Sequence, residues 1–179
     1  YRNDGPSRFQ HVSDRTGISA VGTVFVGFGT VASDFDLDGD EDLVIANGHV
    51  MLHSRNSPLR QKSLLFENRS GKEFRNVAAL AGDYFTQDPR GRGIASADMN
   101  RDGRPDLIGT HGNEPARILI NQTTSKAAPL TLQLRDTHSG FPGTGSAIAL
   151  RTGNRTQHRW GKSGASFLST SSDQIQFAV

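Results

Sequence analysis

Residues 34–42 read DFDLDGDED, and a related stretch, DMNRDGRPD, begins 64 residues later at residue 98. In both stretches the first, third, fifth and ninth residues carry side-chain oxygens, and the sixth residue is glycine. Oxygen is the ligand that Ca²⁺ prefers, at roughly 2.3–2.6 Å, and a glycine permits the positive φ that turns a short loop beneath an ion. The shared spacing therefore predicts two calcium-binding loops.

Each loop is predicted to hold one ion through four side chains and one main-chain carbonyl. The carbonyl belongs to the seventh position, which is why an arginine is tolerated there in the second loop. In the first loop the predicted ligands are Asp34, Asp36, Asp38, the carbonyl of Asp40, and Asp42; in the second they are Asp98, Asn100, Asp102, the carbonyl of Arg104, and Asp106.

The residues around each loop indicate strands. An EF-hand needs a bidentate glutamate at position twelve and a helix on either side. That position is Ile45 in the first loop and Gly109 in the second. Short apolar runs rich in β-branched residues follow the loops, at residues 43–46 and 107–109, and small residues precede them. This pattern predicts a strand, a calcium loop and a second strand in both places.

The similarity between the two halves of this region extends beyond the loops. FQHV at residues 9–12 matches FRNV at residues 74–77, and the runs at residues 64–68 and 118–121 both end in asparagine. The repeating unit is therefore about four short strands with one calcium loop, which is the size of a propeller blade. The polar stretch at residues 50–62 is an insertion between the copies, and we expect it to be a surface loop.

The last third of the chain has a different pattern, with period-two alternation and no calcium loop. A short linker-like stretch at residues 123–129 precedes it, and a turn at residues 140–143 separates its first two strands. Alternation of this kind is typical of strands with one buried face. The predicted strands lie at residues 130–135, 147–151, 156–160 and 174–179.

These patterns predict an all-β chain, which its 20 glycines and many turns also favour. Residues 1–125 are predicted to form a partial β-propeller of about two calcium-bearing blades. Residues 126–179 are predicted to form a small β domain. The chain opens at Tyr1 and ends on a strand pattern with no turn after it. We interpret it as a fragment that is cut at both ends.

Composition excludes several classes of site. The chain has no cysteine, so it has neither a disulfide framework nor a thiolate ligand or nucleophile. No apolar stretch is long enough to span a membrane. The first loop carries −6 and the second −1, which leaves +9 on the rest of a chain of net charge +2. A basic body suits an acidic glycan, although scattered solvated charge is the simpler interpretation. The pattern does not indicate nucleic-acid binding.

The two loops with their flanks, FGTVASD at residues 28–34 and GIASAD at residues 93–98, resemble FG-GAP/VCBS repeats, the calcium-bearing blades of integrin-type propellers. Residues 42–50 and 64–68 are similar to the last blades of the ASPIC/UnbV, or cartilage-acidic-protein-like, family. Residues 130–179 resemble the first part of the C-terminal ASPIC/UnbV domain of that family. The resemblance covers essentially the whole chain. It implies calcium and a secreted or surface-exposed protein, and it does not imply a reaction.

Other candidate residues carry weaker signals. The six histidines show no metal-ligand spacing, and His49 and His111, which follow the calcium strands, are the best of them. We expect both to be structural. The chain has no G-x-S-x-G nucleophile elbow, and we assign no catalytic residue. Glu41 lies outside the ligand positions and is expected to be a solvated charge. Trp160, the single tryptophan, is expected in a core or an interface rather than as a sugar platform.

The sequence therefore predicts a calcium-stabilised binding and scaffold module that is extracellular or periplasmic and recognises a protein or glycan. In this hypothesis the chain is not an enzyme. The alternative is part of an enzyme or enzyme complex whose active site lies in missing blades or in the C-terminal domain. A convergent pocket with titratable groups and no calcium would favour the alternative. The sequence does not indicate an oligomeric state.

Overall fold

The structure is a computed structural model that describes residues 1–21, 24–52, 55, 57–137 and 143–179. The chain is all-β, as predicted, with only short helical turns. No helix in these ranges is long and apolar enough to cross a membrane. The described strands are β1 (Arg2–Asn3), β2 (Phe9–Gln10), β3 (Gly27–Ser33), β4 (Asp42–Asn47), β5 (Leu64–Arg69), β6 (Glu73–Asn76), β7 (Gly91–Ala97), β8 (Asp106–His111), β9 (Glu114–Leu119), β10 (Pro129–Leu132), β11 (Ala147–Thr152), β12 (Arg155–Trp160) and β13 (Ile175–Ala178); the helical turns are α1 (Asp83–Thr86) and two 3-10 turns at Ile18–Val21 and Ala78–Leu80.

The first acidic stretch joins two strands of an antiparallel sheet. Strands β3, β4, β5 and β6 are neighbours in that order, which is the predicted unit of four strands with one loop. The loop begins after Ser33 and ends at Asp42, which are partners in the strand register. Alternate residues of β4, including Val44 and Ala46, are fully buried, because this strand lies in the middle of the sheet. The two ends of the loop are therefore fixed by the sheet.

The second acidic stretch occupies the same place in a second sheet, formed by β7, β8 and β9. Ala97 and Asp106 are partners across its loop. A register shift occurs near the start of β3, between Gly27 and Thr30, and near the start of β7, between Gly91 and Ile94. The predicted repeat therefore includes this irregularity of the first strand as well as the loop.

The two sheets pack against each other through their first strands. A Cβ at Gly29 would lie 2.6 Å from the backbone nitrogen of Ile94, and a Cβ at Gly91 would lie 2.7 Å from the carbonyl of Asn47. Only glycine permits so close an approach of β3 and β4 to β7. The shared core lies beside this contact and contains Val31, Phe35, Val44, Ala46, Ala78, Phe85, Ile94 and Leu107.

The last third of the chain forms two strand pairs, which confirms the predicted strands. β10 pairs with β13, and β11 pairs with β12. The β10 strand begins at Pro129, inside the stretch that we interpreted as a linker, and Ala128 already exchanges two backbone hydrogen bonds with Val179. The predicted turn falls on residues of which only Gly143 is described. The domain boundary at residues 125 and 126 stays a prediction.

The insertion at residues 50–62 is exposed where its first part is described, from Val50 to Leu52. Its end is different, since Gln61 is only 2 % exposed. The Gln61 side chain accepts a hydrogen bond from the Val26 backbone at 2.7 Å and donates one to the Ser57 hydroxyl at 2.6 Å. The end of the insertion is therefore fastened to the segment before β3, which its polarity alone did not indicate.

Candidate metal centre

Three carboxylates of the first loop lie together. Asp34, Asp36 and Asp38 each place one oxygen within 4.8 Å of the oxygens of the other two. Two oxygens bound to one Ca²⁺ are separated by up to about 5 Å, because each lies roughly 2.3–2.6 Å from the ion. The structure therefore brings together the first three predicted side chains of this loop at a spacing that suits one ion.

The loop holds this shape through its own backbone. Asp36 accepts a hydrogen bond from the Asp38 nitrogen at 3.1 Å, and Asp34 accepts one from the Gly39 nitrogen at 2.8 Å. Gly39 has a φ of 93°, as predicted for the sixth position. The fourth position is also left-handed, with φ of 58° at Leu37 and 62° at Arg101. The sequence did not indicate this second turn, because non-glycine residues rarely adopt such a φ.

Asp34 is the most constrained ligand candidate. It is 2 % exposed, and its Oδ1 atom is buried without a hydrogen-bond partner. An unsatisfied buried acceptor costs about 1–3 kcal/mol, and more when it is charged. Burial raises the pKa of Asp34 to about 6, while Arg159 nearby lowers it in part. A cation bound at Oδ1 would satisfy this atom and keep the carboxylate ionised.

The carboxylates at the ninth position fasten each loop to a later strand. Asp42 is buried, and it accepts hydrogen bonds from the backbone nitrogens of Phe35 at 3.1 Å and Asn68 at 2.8 Å. Burial raises the pKa of Asp42 to about 7. Asp106 has the equivalent partners in the second loop, the nitrogens of Met99 and Asn121, at 2.9 and 2.8 Å. Asp42 is not one of the three clustered carboxylates.

Each carboxylate oxygen has two lone pairs, so one hydrogen bond leaves room for an ion. Ligation by Asp42 and Asp106 therefore stays a prediction, as does ligation by the carbonyls of Asp40 and Arg104. What the structure adds is a second role for the ninth position, which the loop pattern alone did not indicate. The signal that was available is the asparagine that closes both later apolar runs, Asn68 near the end of β5 and Asn121 just after β9.

The second loop has the same turns and a different charge balance. The Gly103 nitrogen donates to Asp98 at 2.8 Å, and the Asp102 nitrogen donates to the Asn100 side chain at 3.1 Å. The Asp102 carboxylate also receives the Asn100 amide at 2.8 Å and the Arg104 guanidinium at 2.5 Å. The hydrogen bond from the Arg104 backbone, helped by the amide and guanidinium, lowers the pKa of Asp102. This loop therefore contains its own cationic group.

The first loop receives its cationic groups from the last third of the chain. Arg159 on β12 lies 3.3 Å from Asp34 Oδ2 and also donates to the Gly39 carbonyl at 3.1 Å. Arg155 donates to the carbonyl of Asp38 and lies 3.4 Å from the Asp40 carboxylate. The two arginines lie four residues apart on β12, and therefore on the same face of the strand. The sequence pattern did not show which loop they would contact.

Two expectations about single residues are corrected. Glu41 is not a freely solvated charge, because it forms an ion pair with Lys162 at 2.9 Å. Trp160 is 51 % exposed, so the expected core position is wrong, and the expected position in an interface stays a prediction. Trp160 lines a cleft of about 240 Å³ that also reaches Asp34 and Asp98, the first residues of the two loops.

The two histidines that follow the calcium strands have structural partners. The His49 ring accepts a hydrogen bond from the Met51 nitrogen at 2.9 Å. The His111 ring lies 3.1 Å from the Tyr84 hydroxyl and 3.0 Å from the Pro115 carbonyl. These contacts give both histidines a structural role.

The comparisons with known proteins agree with this geometry. Residues 34–109 match the FG-GAP-like repeat family, from the first residue of the first loop to the strand after the second loop. A segment of the chain is 41% identical over 64 residues to cartilage acidic protein 1 of Homo sapiens. The proteins of that name from Mus musculus and Xenopus tropicalis are 38% identical over 63 residues and 34% identical over 65 residues. The predicted resemblance to FG-GAP repeats and to the cartilage-acidic-protein-like family is thereby confirmed, and the resemblance of residues 130–179 to the ASPIC/UnbV domain stays a prediction.

The matched segments are short relative to these proteins. They cover 35% of this chain and 9% of the human relative, 34% and 9% for the mouse relative, and 35% and 10% for the frog relative. The matched segments therefore span about a tenth of the length of these relatives.

Proposed function

We propose that this chain is part of an FG-GAP-type β-propeller in which Ca²⁺ stabilises the acidic loops, and that it acts as an extracellular or periplasmic binding and scaffold module. The observation that carries the proposal is the first loop itself. Three carboxylates lie within 4.8 Å of one another, and the buried Asp34 Oδ1 has no partner. A divalent cation is the ligand that this set of oxygens fits.

The propeller arrangement is supported by the relation between the two sheets. Each sheet carries its loop between its first and second strands, and the first strands, β3 and β7, pack against each other. Blades of a propeller are arranged in this way, with neighbouring sheets in contact and sequence repeats of about 40–50 residues. The 64-residue offset between the two loops approaches that length once the insertion at residues 50–62 is left out. In the proposed protein, further blades complete the ring.

The proposed role of the ion is to stabilise the loop by offsetting the repulsion between its acidic side chains. Six acidic residues lie within the nine residues of the first loop. Like charges about 4 Å apart repel by about 1 kcal/mol even at the dielectric constant of water. Calcium would offset two of the three negative charges of the clustered carboxylates, while the backbone nitrogens of Gly39 and Asp38 donate hydrogen bonds to Asp34 and Asp36.

The proposed location follows from the ion and from the relatives. Extracellular calcium modules bind Ca²⁺ with dissociation constants of about 10⁻⁴–10⁻³ M, which suits the concentration outside cells. The matching relatives are named for cartilage. The proposed partner is a protein or an acidic glycan, since the residues outside the two loops carry a net charge of +9. We propose no catalytic role, because the cleft beside Trp160 shares Asp34 and Asp98 with the calcium loops.

Calcium titration tests the proposal. We expect Ca²⁺ at 100 times its dissociation constant to raise the free energy of unfolding by about 2.7 kcal/mol relative to the chelated protein. Asp38→Ala removes a clustered carboxylate, and Glu41→Ala removes the same charge outside the cluster, so the pair separates ligation from electrostatics. Calcium should stabilise the Glu41 variant more than the Asp38 variant. Identical melting curves with EDTA and with Ca²⁺ would refute the proposed role of the ion.

The two loops are expected to differ in affinity. The first has four carboxylates at side-chain ligand positions, and the second has three, with Asn100 in place of an acid and Arg104 bound to Asp102. More ligand charge favours tighter calcium binding. In calorimetry, the Asp102→Ala variant reports the first loop and should bind more tightly than Asp36→Ala, which reports the second. The reverse order would show that Pro105, by stiffening the second loop, outweighs charge.

A further inference from the structure

The arginine that contacts the first loop is itself buried. The Arg159 side chain is 9 % exposed and the Asp34 side chain 1 %. The guanidinium lies 5.4 Å from the centre of the Phe177 ring on the other side. A buried guanidinium needs an opposite charge, because desolvation of an unpaired charge is costly. Asp34 supplies that charge, so β12 is connected to the loop through the most buried of the three clustered carboxylates.

Arg159 and the proposed ion use different oxygens of one carboxylate. Asp34 Oδ2 accepts from the Gly39 nitrogen at 2.8 Å and from Arg159 at 3.3 Å. Asp34 Oδ1 is buried and has no partner. The arginine therefore does not block the free oxygen, but its positive charge lies beside the place where the cation would bind.

We propose that Arg159 sets the calcium affinity of the first loop by sharing Asp34 with the ion, so that calcium binding and the attachment of β12 oppose each other. This inference rests on the proposed calcium site. A divalent and a monovalent cation about 6 Å apart repel enough to change a binding constant by roughly tenfold, even at the dielectric constant of water. Coupling between two interactions is reciprocal. Calcium binding therefore weakens the ion pair between Arg159 and Asp34 by the same free energy by which Arg159 weakens calcium binding.

The other cationic groups near the loop do not share a clustered carboxylate. Arg155 lies beside the Asp40 carboxylate and the Asp38 carbonyl, and Lys162 pairs with Glu41. Their partners lie outside the three-carboxylate cluster or are main-chain atoms. Both side chains are also far more exposed than Arg159, at 47% and 42%, so solvent and salt screen them. Arg159 is therefore the cationic side chain whose charge the ion meets most directly.

Calorimetry on charge-changing variants tests this proposal. Asp102→Ala serves as the background, so that the heat reports the first loop. Arg159→Gln keeps a hydrogen-bond donor and removes the charge, and we expect it to bind Ca²⁺ about tenfold more tightly. Arg159→Lys keeps the charge and should leave the affinity near that of the background. Arg151→Gln is the matched control, because Arg151 is exposed and, among the described residues, its side chain hydrogen-bonds to the nearby Gly153 carbonyl.

The outcomes separate this proposal from the calcium site on which it rests. Absence of calcium binding in every variant refutes the site. Binding with equal or weaker affinity in Arg159→Gln refutes the opposition between Arg159 and the ion. The fluorescence of Trp160 gives a second measurement that needs no substitution at Arg159. Trp160 is the next residue in the sequence and the single tryptophan of the chain. Its emission should change along the calcium binding curve of the first loop, and constant emission at saturation also refutes the proposal.

Discussion

Asp42→Ala is expected to lower the free energy of unfolding by about 2–6 kcal/mol. The substitution removes the acceptor of two backbone donors, the nitrogens of Phe35 and Asn68. Each donor left without a partner in a buried place costs about 1–3 kcal/mol. The same carboxylate connects the loop, the start of β4 and the end of β5, so its loss affects three segments at once. Urea unfolding in EDTA at about pH 5, where the folded protein still holds Asp42 protonated, measures the effect without any contribution from an ion or from the ionisation of Asp42.

Three further variants calibrate this measurement. Asp42→Asn keeps one oxygen acceptor and places an amide donor opposite one of the two nitrogens, so it should recover only part of the loss. Glu41→Ala removes the neighbouring charge and its surface ion pair with Lys162, which is worth about 0–1 kcal/mol. Asp106→Ala should behave like Asp42→Ala, since it accepts from the equivalent nitrogens. Equal free energies of unfolding for Asp42→Ala and Glu41→Ala would contradict the proposed role of Asp42 in connecting the loop to β4 and β5.

The parts of the fold that the sequence predicted are those encoded locally. The loop pattern, the glycine at its sixth position and the apolar runs beside it lie within a few residues of each other, and the structure places them as expected. Period-two alternation likewise found the strands of the last third. These signals are sufficient because the backbone of a strand or a tight turn depends mainly on its own residues.

The contacts that the sequence did not predict connect distant residues. Arg159 and Asp34 are 125 positions apart, and Arg155 and Asp38 are 117 apart. The sequence of a basic strand does not indicate which acidic loop it will contact, because that contact depends on how the strand pairs pack in the folded chain. The backbone conformation of Leu37 is a local feature that the sequence also did not predict. Its left-handed φ is imposed by the hydrogen bonds around it, against its own preference.

The stability of the ion-free protein is expected to fall as pH rises from about 4 to 7. Burial raises the pKa of Asp34 to about 6 and that of Asp42 to about 7, while an unfolded chain has Asp values of about 3.9. Between these limits the folded protein holds protons that the unfolded chain has already released. Stability therefore decreases with pH in this interval, and the full loss is reached above pH 7.

The expected loss is several kcal/mol, because one pKa unit corresponds to about 1.4 kcal/mol and both carboxylates contribute. Calcium reverses the trend, since it binds the ionised form and so competes with the protons. Melting temperatures measured between pH 4.5 and 7.5 should fall with pH in EDTA and should not fall in saturating Ca²⁺. Asp34→Asn, which cannot ionise, should remove the Asp34 contribution to the EDTA slope and leave that of Asp42, whose pKa is raised further. An EDTA curve for the unsubstituted protein that is flat or rises with pH would show that these two carboxylates are not held by burial as described.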